Sequence, residues 1–246
     1  MPLYFKGLIC IIRDCTALAI QVNRIDLAAA PLTQTPERED EVKFLSPPFM
    51  KFGLAILMRK RDRSPDIRRI ADLADQEKIQ YGVVSSGSTA MFFRSFRRSQ
   101  YSKMWSVMSS RDNPTLVDSI EDGVERVRQS TDSRPFVFIG EEYTVKYHAS
   151  RKPCDLTYVD GNVQEYDGEY HLAVRKNLPQ STVDRLETSL GRLNDSGQLR
   201  QLYEKWWVER AECSLPSSST MLATSAMAVL VPAAVAVVLF GFSSSE

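Results

Sequence analysis

The chain has 246 residues, enough for one large or two small domains with a sizeable buried core. Its 31 basic and 31 acidic residues cancel, which argues against a nucleic-acid binder. Two histidines, His148 and His171, and four scattered cysteines show no metal-ligand spacing. There is no Ser/His/Asp arrangement, phosphate-loop lysine motif or dinucleotide glycine pattern, so no cofactor is expected and an enzyme is not the default.

Near the start, Leu8–Ile12 is too short for the apolar core of a secretory signal and is followed by Arg13-Asp14. Ile25–Ala30 reads as a short buried strand that runs into a loop over Pro31–Asp40. A loop at the carboxyl end of a strand is where open α/β sheets hold ligands. Arg38 in that loop has the planar fork that grips a carboxylate with two parallel bonds. Among Glu37, Glu39 and Asp40 it also reads as an ordinary solvated arginine. Phe49-Met50 and Leu54–Met58 suggest a strand crossing between two lobes after a Pro47-Pro48 turn. Arg59–Arg69 then carries six basic residues and reads as a solvated linker. Ile70, Leu73 and Ala74 lead a short helix toward the next strand.

Tyr81–Val84 is that strand, and Ser85-Ser86-Gly87 is turn chemistry. Ser88 or Thr89 opens a helix whose Phe92, Phe93 and Phe96 share one face. A strand running through Gly into Ser-Thr at a helix start makes an anion site, because the first N–H groups lack partners and the dipole is positive there. The same pattern also fits a plain capped helix.

Met104, Trp105 and Met108 suit a buried helical face. Ser119–Asp122 resembles a capping box, with Ile120, Val124 and Val127 continuing at helical spacing. Phe136–Ile139 is a buried strand ending at Gly140-Glu141-Glu142, so a carboxylate stands at the ligand end of a sheet, where it could hold an ammonium group. Leu172–Val174 is another strand. Val183, Leu186, Leu190 and Leu193 form an amphipathic helix closed by Asn194–Gly197; Leu199, Leu202 and Trp206 form a second, and both are read as core faces. Met221–Phe242 is about 22 uncharged residues, long enough to cross a bilayer as a helix; with Ser217-Ser218-Ser219 ahead of it, it also fits a GPI-attachment signal.

In order, these stretches resemble the ligand-binding core of ionotropic glutamate receptors of the non-NMDA type. The matching motifs are Ala30–Thr33 with Arg38, Phe44–Met50, Asp72–Ala74, Tyr81-Gly82, Gly87–Thr89 and Phe92-Phe93. They continue in Lys103–Trp105, Asp122–Val124, Arg151–Asp155 and Lys205–Trp207, covering about Thr16 to Cys213.

The resemblance implies an α/β fold: a two-lobed periplasmic-binding-protein-like clamshell, its first lobe incomplete, plus one C-terminal transmembrane helix. Residues 1–60 would be a truncated first ligand-binding segment, 61–66 a short basic linker where the pore domain would be, and 67–213 the second segment. Residues 214–220 would form a Ser-rich spacer and 221–242 the membrane helix. The implied ligand is L-glutamate or a related amino acid. Pro31 (through its carbonyl), Thr33 and Glu141 would hold the α-amino group. Arg38 would take the α-carboxylate with the N–H groups of Thr33 and Ser88, while Ser88 and Thr89 would take the distal carboxylate. Cys154 and Cys213 match the family's disulfide. Implied partners are further subunits of a tetramer and the lipid bilayer, with the binding domain outside the plasma membrane, at a synapse.

Departures stand beside the matches. Only Arg61-Asp62-Arg63 occupies the place of the pore, so no conduction path is expected from this chain. Pro36-Glu37 replaces more apolar residues before Arg38. Glu169-Tyr170-His171 stands where Gly-Tyr-Gly is usual, and Ser85 where an acid is common. Two other functions fit the same residues: a non-conducting assembly module, and a membrane-anchored protein that delivers an amino acid to a transporter.

Overall fold

A computed structural model describes residues 26–96, 99–111 and 114–214. The apolar stretch 221–242, nearly all of the Ser-rich spacer, Leu8–Ile12, Cys10 and Cys15 lie outside the described residues. Among the described residues no helix is long and apolar enough to cross a membrane.

Among the described residues two four-stranded sheets organise the structure. The first is built on β8 (Gly168–Val174), with β1 (Leu27–Thr33) antiparallel on one side and β2 (Lys43–Phe44) and β3 (Met50–Phe52) antiparallel on the other. The strand expected to stop at Ala30 continues to Thr33. Its register against β8 shifts between Ala28 and Leu32, and Pro31 sits in that bulge. An unpaired bulge residue is one of the few places where a strand accepts a proline, which has no N–H for the ladder. The predicted loop then becomes a short helix, α1 (Pro36–Glu39), with Thr35 as N-cap accepting from the Arg38 N–H and Pro36 at its start.

The second sheet has the order β5 (Gln80–Gly82), β6 (Phe136–Glu141), β4 (Leu54–Arg59), β7 (Leu156–Asp160), with β5 and β6 parallel and the other pairs antiparallel. Every residue of β4 and β6 is buried, because helices cover both faces of this sheet. On one face Ile56, Met58 and Ile139 meet Phe93 of α2 (Ser88–Ser95) and Tyr101, Met104 and Met108 of α3 (Ser99–Met108). On the other, Leu57 and Phe138 meet Val124 and Val127 of α4 (Ile120–Gln129) and Val145 of α5 (Glu142–Ala149). Ser119 caps α4 by accepting from the Asp122 N–H at 3.0 Å, as its spacing predicts.

Among the described residues the chain crosses between the sheets three times. It leaves the first at Gly53, returns between β7 and β8, and runs along α6 (Gln180–Asp195) before crossing back. Val183 and Leu190 of α6 pack on Leu45 and Val174 of the first sheet. Past Gly197, α7 (Gln198–Tyr203) continues as π-helical turns over Glu204–Glu209, which return to α5: Trp207 Nε1 donates to the Tyr143 carbonyl at 2.8 Å. Cys154 and Cys213 form the disulfide that the resemblance implies.

Two expectations are corrected. Arg59 belongs to no solvated linker: it is 4% exposed, its guanidinium forks onto Asp62 at 2.6 and 2.8 Å and it also donates to the Ser130 carbonyl. The hydropathy pattern missed this because the burying partners lie about 70 residues away in sequence. Leu202 and Trp206 are not a core face. They are 50% and 42% exposed, because the helix docks through Trp207 and Tyr203 instead.

Candidate functional site

Four elements meet at one point between the sheets. Glu141 closes β6, Thr33 closes β1, Ser88 opens α2 and Tyr170 lies on β8. Glu141 is 2% exposed and its carboxylate is an acceptor for hydroxyls from all three others. Thr33 Oγ1 donates to Oε1 at 3.0 Å, Ser88 Oγ donates to the same oxygen at 2.7 Å, and the Tyr170 hydroxyl donates to Oε2 at 2.6 Å. A buried charge demands such partners.

Gly87 precedes α2 and offers no side-chain cap, so the first N–H groups of the helix, at Ser88 and Thr89, are presented without competition from a capping side chain. Thr89 is itself buried and, with Gly87, Val84 and Glu141, lines a void of roughly 10 Å³. Thr33, Ser88, Thr89 and Glu141 are therefore brought together, tightly packed. Arg38 joins them through the backbone: its Nη1 donates to the Thr33 carbonyl at 2.7 Å. Beside it a larger cavity of about 260 Å³ is lined by Thr35, Glu37 and Arg38 from the first sheet and by Ser85, Ser86, Ala90, Met91, Arg94 and Trp105 from the second.

Pro31 stands apart. It is exposed and, with Phe49, Tyr143, Tyr170 and Trp207, lines an apolar cavity of about 470 Å³. The Glu169-Tyr170-His171 departure makes its own bonds there. Glu169 pairs with Lys51 at 2.8 Å and lies 3.2 Å from His171 Nε2, and the hydrogen bond from Lys51 holds the Glu169 carboxyl below its ordinary value. Alternation along the strand leaves Tyr170 between them free to reach Glu141.

Sequence reasoning missed Tyr170 and Arg94 as site residues. Nothing in the local pattern marks Arg94, which follows buried Phe93 on α2 and lines the cavity beside Arg38.

Residues 15–209 match the family described as bacterial extracellular solute-binding proteins, family 3. The chain belongs to that family. This solute-binding-protein chain is also similar to glutamate receptor 3 of Mus musculus, 36% identical over 187 residues that make up 76% of this chain and 20% of that receptor. A glutamate receptor of Lymnaea stagnalis is 35% identical over 170 residues, 69% of this chain and 18% of the receptor. Glutamate receptor 2 of Caenorhabditis elegans is 32% identical over 182 residues, 68% and 18% respectively. The chain thus spans about a fifth of the length of these curated relatives. The matches show the resemblance to the ligand-binding region of ionotropic glutamate receptors, and the family has a periplasmic-binding-protein-like α/β fold.

Proposed function

We propose that this solute-binding-protein chain is the amino-acid-binding clamshell of an ionotropic glutamate receptor, taking L-glutamate or a close relative between its two sheets. The observation that carries the reading is the meeting of Arg38, Thr33, Ser88 and Glu141 at one inter-sheet point. A zwitterion with a second acid group needs one cation for its α-carboxylate, one acid for its ammonium and one helix start for its distal carboxylate. Arg38, Glu141 and the Ser88-Thr89 turn supply that set, with Thr33 and the Pro31 carbonyl completing the ammonium site. Ligand entry exchanges the hydroxyl donors now on Glu141 for the ligand's ammonium, and binding energy is stored as closure of one sheet's lobe on the other. In this reading the chain is a receptor component rather than an enzyme. It assembles with other subunits, and the stretch 221–242 crosses the plasma membrane with the clamshell outside the cell.

The test is calorimetry on the whole chain in detergent, titrated with L-glutamate. Heat that vanishes in Arg38→Ala is the expected result; a folded chain that takes up no amino acid ends the reading.

A second reading, a non-conducting module that assembles with other subunits, rests on the connection after β4. There Lys60–Asp62 forms one helical turn, closed by the Arg59–Asp62 pair. Co-purification with a full-length subunit that survives Arg38→Ala favours it over ligand sensing.

A further inference from the structure

We infer that Arg94 is a second arginine of this site, meeting the ligand's α-carboxylate from the side of the cleft opposite Arg38. The inference rests on the amino-acid-binding reading and goes beyond it, since neither the motifs nor the spacing single Arg94 out.

The cavity of about 260 Å³ beside Arg38 has walls from both sheets, with Arg38 and Glu37 on one side and Arg94, Ser85 and Ser86 on the other. Its lining holds two guanidiniums, Arg38 and Arg94, against one acid, Glu37, and the other polar side chains there are Thr35, Ser85, Ser86 and Trp105. The charge of the cavity therefore suits an anion. Its size, at or below the lower end of ligand pockets at roughly 300 Å³, suits a compact one. A carboxylate has about four lone-pair sites, more than one guanidinium fork uses. Arg38 already directs Nη1 to the Thr33 carbonyl, so part of its fork is turned toward its own strand. A second guanidinium can take the outer lone pairs.

The helix holds Arg94 in place for that role. Phe93 is fully buried against the second sheet and the Phe92 ring packs on Phe96 and Tyr101, which fixes the rotation of α2. Arg94 is left on the exposed side with Met91 and Trp105 lining the same cavity. Because Arg38 lies on α1, which follows β1 of the first sheet, and Arg94 on α2, which packs on the second, a carboxylate bound to both couples the sheets, so the second arginine acts on closure as well as on affinity. Its exposure makes the attraction sensitive to salt.

The experiment titrates L-glutamate into the whole chain and into its Arg94→Gln, Arg94→Lys and Arg38→Ala variants, at low and at physiological salt. Arg94→Gln is expected to weaken binding about fivefold to tenfold at low salt. It is also expected to flatten the salt dependence and leave the thermal midpoint where it was. Arg94→Lys, which keeps the charge and loses the fork, falls between. If Arg94→Gln binds within about twofold of the parent with the same salt dependence, while Arg38→Ala binds nothing, this inference is overturned and the reading beneath it stands. If the parent takes up no amino acid, both fall.

Discussion

Thr33 Oγ1 donates to Glu141 Oε1 over 3.0 Å, joining the two sheets across 108 residues of chain. Both residues are buried, so in the folded chain water does not take the place of the donor once it is removed. Thr33→Val keeps the shape and removes the donor, leaving Glu141 with Ser88 and Tyr170. The expected loss is about 1 kcal/mol in urea denaturation of the ligand-free chain. Glu141→Ala strands three hydroxyls at once, and its loss should exceed that of Thr33→Val. Equal stability of Thr33→Val and the parent would mean that this contact does not hold the sheets together.

What the sequence revealed follows from the range of the interactions. β4 and β6 are buried on both faces and read as apolar runs; α4 and α6 announce themselves by spacing and by the Ser119 cap. α5 lacks a side-chain cap and starts Glu142-Tyr143-Thr144, so nothing local marked it. β7 was overlooked because its pairing with β4 lies about a hundred residues away. Arg38, Ser88 and Glu141 were legible from their local chemistry, Thr33 was named through the resemblance, and the structure adds how the four contact one another. Arg94 and Tyr170 were out of reach, since helix rotation and strand register decide where they point.

Arg59 provides a sharper test of the corrected linker. Its side chain is 5% exposed and that of Asp62 12%, so the pair is desolvated and hydrogen-bonded. Removing Asp62 leaves the buried guanidinium with the Ser130 carbonyl and the exposed Asp132 at 3.4 Å; breaking a fully buried pair costs about 3–5 kcal/mol, so that is the upper bound here. Asp62→Ala should lower stability by about 2 kcal/mol or more in chemical denaturation, and Arg59→Met combined with Asp62→Leu should recover much of it. If the segment were solvated, as its charge suggests, Asp62→Ala would change nothing.

His148 predicts an acid-sensitive step. Burial disfavours its charged form and lowers its pKa from the ordinary 6.5; Glu121 raises it and Arg128 lowers it further, both by smaller amounts. With the folded value below the unfolded one, the unfolded chain binds more protons as pH drops. Stability is thus complete above 6.5 and is lost as pH falls through the folded value. His148→Gln should flatten that part of the stability–pH curve, measured by urea midpoints between about pH 7 and 5. The same slope in the variant and the parent would assign the loss to other groups.

The Cys154–Cys213 bridge spans 59 residues, and tying a loop of that length removes unfolded-chain entropy equivalent to about 4 kcal/mol. The terminal helix has other anchors. Arg151 Nη1 and Nη2 donate to the carbonyls of Arg210 and Trp206, and Trp207 holds Tyr143. Cys154→Ser with Cys213→Ser should therefore lower the denaturation midpoint while the helix stays docked. Trp207 fluorescence without denaturant should be unchanged, and so should uptake of L-glutamate, since the bridge lies away from Glu141. A red-shifted tryptophan signal in the native variant would show instead that the bridge itself, rather than Arg151 and Trp207, keeps the helix on α5.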